Sequence, residues 1–436
     1  MIDIIRYPSE RAEQKISEIA QRRPGADPEL EAKVLEIIRA VKSEGDAAVL
    51  RYVRRFDAPE LEEGRLRVSE EEIASACREV DSDFLSILRA AIRNIEEFHK
   101  RQLRYSHFTT DPDGTFLGQM VKPVRAAGVY TPGGRGGETP LISSVLMNVI
   151  PARLAGVQDI ALITPPRKDG SINPFLLAAA HEVGVGRIYR AGSAWGIAAL
   201  ACGTESIRSV DVIAGPGNIF VALAKKLLAG EVGIDMIAGP SEILVLADSS
   251  ARADYIAADL LSQAEHDAMA SSVCITTEEN LAGDIASEVS RQLAALPRAE
   301  TASASIESYG AVFVVRELGA AFELANRIAP EHLELHLEEP FSWLGKVENA
   351  GAVFIGEHTP EPVGDYFAGP NHVLPTAGTA RFASALGVDD FLKKTSVIAY
   401  SRTAFQRDAR SIIRLAELEG LAAHAQSVRI RLGEGN

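Results

Sequence analysis

The stretch EILVLADSSARADYIAADLLSQAEHDAMASSVCITT, residues 242–277, decides how the chain is read. It opens on a short apolar run, EILVLAD, crosses a segment with apolar residues at helical spacing, and closes on a second short run, SSVCITT. Short apolar runs alternating with helical segments are the pattern of βαβ units and a parallel sheet. Toward the C-terminus the alternation continues through a helix near 279–295, YGAVFVV, LGAAFELANRIAP and GAVFIG. Toward the N-terminus lies a similar series: AAGVYT, LISSVLMNVIPARLAG, DIALIT, NPFLLAAAHEVG, RIYRAG and SVDVIAGPG. The expected fold class is therefore α/β, with two α/β units in tandem. Ahead of them VLEIIRAV, AAVLRYVRRF and FLSILRAAIRNIEEF repeat apolar residues every three or four positions and predict a helical lead-in over 30–100. Beyond Pro375 the chain reads as loop and then helices, ending in AFQRDARSIIRLAELEGLAAHAQSV. That tail is too short to carry its own core and needs a surface, on the body or on a second subunit.

Within the opening stretch, a helix over 253–268 places Leu260, Leu261 and Ala264 on an apolar stripe and Gln263 with His266 on a neighbouring face. Two metal-capable side chains then project together. The alternative is a polar helix end, since histidine is favoured near a helix C-terminus by the dipole.

With 436 residues the chain exceeds what one core organises, and 46% hydrophobic with 24% charged residues marks an ordinary globular protein. A net charge of −15 argues against general affinity for nucleic acid or an acidic membrane surface, which both require a basic field. Cys77, Cys202 and Cys274 are too few and too scattered for a disulfide scaffold or a thiolate metal cluster. Neither a signal-peptide core nor an uncharged apolar run of membrane-spanning length is present. A soluble, cytoplasmic protein is expected.

Four constellations carry possible chemistry. In VYTPGGRGGETPLISSVLM, residues 129–147, a strand meets a glycine-rich loop and then a helix, whose free N–H groups suit a phosphate. The dinucleotide fingerprint G-x-G-x-x-G is not satisfied, because Thr139 stands where the third glycine belongs, and a plain tight turn is the competing reading. GPGN, residues 215–218, adds a second backbone-rich loop, and the two would face the carboxyl edge of the sheet. In APEHLELH, residues 329–336, adjacent Glu331 and His332 can serve two proton transfers, although such a pair also commonly starts a strand. PVGDYFAGPNHVLPTAGTAR, residues 362–381, is an unusually long irregular segment holding Asp365 and His372. LEGLAAHAQSV holds Glu419 and His424 in the tail. Gln263, His266, Asp365 and His424 could compose a zinc shell of nitrogen and oxygen donors, yet nothing in their spacing makes them meet. His99, His107, His181, His336 and His358 read as structural or surface residues.

The ordered series GVYTPGG, SSVLMN, AGPGN, AGPSE, DLLSQAEH, APEHLE, GDY, NHVLPT and EGLAAH resembles the histidinol dehydrogenase family over essentially the whole chain. The resemblance implies a homodimer of two incomplete Rossmann-like domains with small N- and C-terminal units. The division expected is an N-terminal helical unit over 1–29, a first α/β domain over 30–126 and 241–385 carrying the metal and proton-transfer residues, an NAD-binding α/β domain over 127–240, and a tail over 386–436 contacting the partner subunit. It further implies NAD-dependent, four-electron oxidation of L-histidinol to L-histidine through the aldehyde. Zinc would be held by Gln263, His266, Asp365 and His424, the last entering from the partner, and would orient the substrate. Glu331 and His332 match the proton-transfer pair. Ser241, Gln263, His266, His332, Asp365, Glu419 and His424 match substrate contacts, and Tyr130 and Asn218 match cofactor contacts. One departure stands out: Trp195 in GSAWGIAAL occupies the place of a glutamine that touches NAD in the family, and an indole face there could stack on the cofactor instead. Two other readings are an NAD-dependent dehydrogenase of another polar alcohol on the same scaffold, and a zinc hydrolase with Glu331 acting on metal-bound water.

Overall fold

The computed structural model describes residues 2–22, 28–134 and 137–434. Residues 135 and 136 of the glycine-rich loop, with which the dinucleotide fingerprint was compared, lie outside the described residues. The chain divides into two compact units, residues 1–102 with 124–391, and residues 103–123 with 392–436.

The first unit holds two parallel sheets. One comprises β4 (Ala126–Tyr130), β5 (Asp159–Thr164), β6 (Arg187–Arg190), β7 (Val212–Ala214) and β8 (Gly233–Ile234), in the order β6-β5-β4-β7-β8. The other comprises β1 (Asp3–Arg6), β9 (Glu242–Ala247), β10 (Ser271–Thr276), β11 (Ala311–Val314), β12 (His332–His336) and β13 (Ala352–Ile355), in the order β1-β11-β10-β9-β12-β13. From β4 in one sheet and β9 in the other, the strand order runs outward in one direction and then reverses, between β4 and β7 and between β9 and β12. Such reversals open a crevice at the strand ends. The stretch EILVLA reads as an unbroken apolar run because β9 is buried on both faces: Ile243 and Val245 enter one core, Leu244 and Leu246 the other.

The expected α/β class is found, but the packing of the flanking helices differs from the expected division. The apolar stripe of helix Pro28–Glu44, with Val34, Ile37, Ile38 and Val41, packs in one core with Ile163, Ala198 and Leu223 of the five-stranded half. Helices Glu70–Glu79 and Ser82–Lys100 cover the other face of that same sheet. The lead-in therefore packs on the sheet of 127–240, while its last helix also meets the segment 364–373, where the Asn94 side chain donates to the Phe367 carbonyl at 2.8 Å: periodicity reveals that a helix has an apolar stripe, not what receives it. Nor is 1–29 a purely helical unit, because β1 pairs in parallel with β11 at the edge of the six-stranded sheet.

The second unit is not helices alone. β14 (Leu392–Ala399) pairs antiparallel with β3 (Phe116–Pro123), which pairs in turn with β2 (His107–Thr110). Helices Arg402–Leu418 and Ala422–Leu432 pack on each other, and Arg407 bridges to Asp113 at 2.6 Å. The tail thus obtains part of its packing surface from residues 103–123 of its own chain. Among the described residues no helix is long and apolar enough to cross a membrane.

Candidate active site

Helix Leu318–Ile328 ends on Ala329, whose left-handed φ of 54° turns the chain sharply. A non-glycine residue held there costs on the order of 1–3 kcal/mol, which surrounding packing must offset. Pro330 and Glu331 follow, and His332 opens β12 between β9 and β13, in register with Ile243 and Ala352. Gly351 passes so close that a Cβ there would lie 2.5 Å from the Glu331 carbonyl oxygen. Both side chains of the pair are buried.

The hydrogen bonds of this pair define its chemistry. The Glu242 N–H donates to Glu331 Oε2 at 2.9 Å, and His332 Nδ1 lies 2.9 Å from the Glu242 carbonyl oxygen. A carbonyl only accepts, so Nδ1 carries the proton and Nε2 keeps its lone pair. That Nε2 is buried and has no hydrogen-bond partner. Burial holds the His332 imidazole below its ordinary value, so the free base persists. Glu331 moves the other way: burial, with Glu242, Asp365 and Glu361 nearby, raises its carboxyl well above the usual range. Glu242 is itself paired in the interior with Arg22 at 2.6 Å.

Asp365 is not in an irregular loop as expected but in a π-helical turn, Gly364–Ala368, directly after the short helix Glu361–Val363. This turn places Glu361 and Asp365 four positions apart, and a ligand atom of each lies within 4.8 Å of one on His332. Burial pushes Asp365 up to about 6, and burial with the neighbouring Asp365 carboxylate pushes Glu361 up to about 7. Glu361 was missed in the sequence, where the segment singled out began at Pro362. Its signal was the four-residue spacing to Asp365. His332, Asp365, His372 and Phe354 line a cavity of about 140 Å³. Beside His372, the Asn371 side-chain amide donates to the Met147 carbonyl at 2.6 Å.

The helix of the opening stretch ends at Ala264, short of the expected 268. Gln263 sits on its last turn, buried, with Oε1 lacking any hydrogen-bond partner. His266 lies in the turn beyond, exposed. Ser241 immediately precedes β9 on the same side of the sheet. The first unit thus brings Glu331, His332 and Asp365 together at the amino end of β12, with Gln263 and His266 at the end of the helix that follows β9. Glu419 and His424 belong to the second unit, as the C-cap of helix Arg402–Leu418 and in the first turn of helix Ala422–Leu432, both exposed. His332, Glu361 and Asp365 put an imidazole beside two carboxyls held above their usual pKa, a donor group that could hold a metal ion.

At the five-stranded sheet, Tyr130 ends β4 and GPGN follows β7, so both loops stand at the carboxyl ends of strands on either side of the reversal. Gly215 has φ 116°, and a Cβ there would fall 2.2 Å from the Tyr130 carbonyl oxygen, so the loops approach each other through glycine alone. The loop is held from beneath by buried Lys225, which donates to the Gly215 carbonyl at 2.9 Å and pairs with Asp235. Asn218 caps helix Ile219–Leu228 by accepting from Phe220 and Val221 N–H. Helix Ile142–Ala155, after the glycine-rich loop, starts without a side-chain cap, leaving N–H groups for an anion. Trp195 is only 5% exposed and stacks on Tyr52 and Phe56, at 5.7 and 5.5 Å between centroids, with its indole N–H unpartnered. Its ring is taken up by the core and leaves little face for a cofactor.

Comparison with known proteins places this architecture. The chain is 54% identical to a histidinol dehydrogenase from Oleidesulfovibrio alaskensis over 426 residues, 98% of each protein. It is 56% identical to one from Nitratidesulfovibrio vulgaris, over 93% of each. The crystal structure of a histidinol dehydrogenase from Elizabethkingia anophelis superposes with a TM-score of 0.91 at 37% identity, covering 99% of this chain and 98% of that one. Since the family profile of histidinol dehydrogenase also matches residues 20–432, the chain belongs to the histidinol dehydrogenase family.

Proposed function

We propose that the chain catalyses NAD-dependent oxidation of L-histidinol to L-histidine through L-histidinaldehyde, the last step of histidine biosynthesis, in the cytoplasm. Family membership supports the overall reaction. The observation that carries the mechanism is the differing environment of two adjacent residues, His332 with a free, unpartnered Nε2 and Glu331 with a raised carboxyl pKa.

Gln263, His266, Asp365 and His424 would hold zinc, which when bound supplies a fixed anchor for the imidazole and amine of the substrate. Tyr130 and Asn218 would lie along NAD+, which when bound supplies the hydride acceptor. In the first half-reaction His332 Nε2 accepts the hydroxyl proton as hydride leaves carbon. The Glu242 carbonyl, hydrogen-bonded to Nδ1–H, fixes the tautomer and steadies the imidazolium that forms. In the second half Glu331 removes a proton from the water that adds to the aldehyde. Its raised pKa makes it a stronger base than an ordinary carboxylate once ionised. The hydrate then loses the second hydride. Ser241 and Glu419 complete the substrate contacts. Glu419 and His424 are supplied by the partner subunit of a homodimer, a reading supported by exposed apolar side chains on the second unit, among them Ile398, Leu415 and Leu418.

The test separates the halves. With histidinol and histidinaldehyde as separate starting substrates, Glu331→Gln retains alcohol oxidation but slows aldehyde oxidation by roughly 10²–10⁴-fold, the usual effect of losing a positioned base. His332→Asn slows the alcohol step. If Glu331→Gln slowed both halves equally with substrate affinity unchanged, the division of labour would be wrong.

A further inference from the structure

Gly215 opens the GPGN loop in a conformation suited to glycine, with φ 116° and the Tyr130 carbonyl where a Cβ would stand. Glycine is also the residue whose backbone loses the most freedom on ordering. A loop built on it wanders unless something else holds it. Two buried side chains do so. The Gly215 N–H donates to Asp235 Oδ2 at 2.8 Å, and the Gly215 carbonyl accepts from Lys225 Nζ at 2.9 Å. Both peptide groups that flank its Cα are therefore fixed.

Lys225 and Asp235 in turn pair with each other, their side chains 1% and 0% exposed. Lys225 stands in the last turn of helix Ile219–Leu228, the helix that Asn218 caps, and Asp235 directly follows β8. The pair thus ties the loop to the helix it leads into and to the strand beside it. A buried ion pair is by itself weak support for a fold, since apolar residues of similar volume often serve as well or better. What an apolar pair cannot supply is an acceptor and a donor to the same glycine. Asp235 also reaches forward: its Oδ1 accepts from the Met236 N–H at 2.6 Å, and the chain then runs through Gly239, whose N–H donates to Thr376 Oγ1, to Ser241 at the head of β9.

We propose that Lys225 and Asp235 are positioning residues for the cofactor. They hold the GPGN loop in its binding shape before NAD+ arrives, and they anchor that loop to the segment that ends on Ser241. A site formed in advance spares the ligand the cost of ordering it. The inference rests on the reading of Tyr130 and Asn218 as cofactor contacts.

Lys225→Met/Asp235→Leu replaces the pair with apolar side chains and leaves neither charge buried alone. Gly215 then loses both partners, and peptide groups left unpaired turn toward water. The KM for NAD+, at saturating histidinol, should rise about tenfold or more, while the KM for histidinol stays within about twofold of wild type. A pair with a merely structural role would lower Tm, or raise both KM values together. A folded variant with wild-type KM for NAD+, or with both KM values raised alike, overturns the positioning role alone. Wild type that neither forms NADH from histidinol nor binds NAD+ by calorimetry overturns the cofactor reading, and the positioning role with it. Should the double variant not fold, hydrogen exchange in wild type decides. A Gly215 amide protected before NAD+ is added upholds the inference, and one that exchanges freely until NAD+ binds overturns it.

Discussion

A buried acid without a partner reports on its surroundings through pH. Asp57 follows helix Asp46–Phe56 beside Gly192, with Oδ2 buried and lacking a hydrogen bond, and burial alone pushes it up to about 7. Its folded pKa exceeds its unfolded value near 3.8, so the folded chain holds a proton that the unfolded chain has released. The stability this contributes is present below about pH 4 and is lost as pH rises through about 7. Asp57→Asn therefore gains on wild type between pH 4 and 7, read as a rising difference in urea midpoint. An unchanged difference between pH 4.5 and 7.5 would contradict the assignment. At this scale the sequence was legible where chemistry forces a rare combination, as in adjacent Glu331 and His332. It was illegible where a side chain's meaning depends on a distant neighbour. Glu361 joins the cluster only because the fold brings His332 to it, and His336, read as structural or surface, shares a buried cluster with Asp259 and Glu334.

Among elements, strands buried on both faces announced themselves as apolar runs, and β4, β5, β9 and β10 lie where those runs were read. β1 escaped notice because four residues, DIIR, carry too little pattern, and β14 because LKKTSVIA, largely exposed, shows no apolar run. Loop elements can be tested directly. At Gly215 the backbone has φ 116° and a Cβ would press on the Tyr130 carbonyl, so Gly215→Ala must move one loop away from the other. The strain is on the order of 1–3 kcal/mol. Alanine there should lower stability by that amount and raise KM for NAD+ severalfold while leaving zinc content unchanged. A variant with wild-type Tm and wild-type KM would show that the close approach of these loops is unimportant.

For the whole molecule, the question is how the second unit takes part. It carries Glu419 and His424, both exposed, and an apolar surface with Leu415 and Leu418 more than half exposed, the kind of patch that marks an interface. If the tail serves a partner's site, mixing inactive His424→Ala with inactive His266→Ala under subunit exchange forms heterodimers in which one site carries both lesions and the other none. Activity then returns to about a quarter of wild type for random exchange and independent sites. Verified heterodimers without activity would mean that each site is built from one chain. The central claim, that one site performs both oxidations, is tested most directly by the yield of NADH. Limiting L-histidinol with excess NAD+ should give two NADH per histidinol consumed, with histidine as the product. A yield of one, with histidinaldehyde accumulating, would contradict the account.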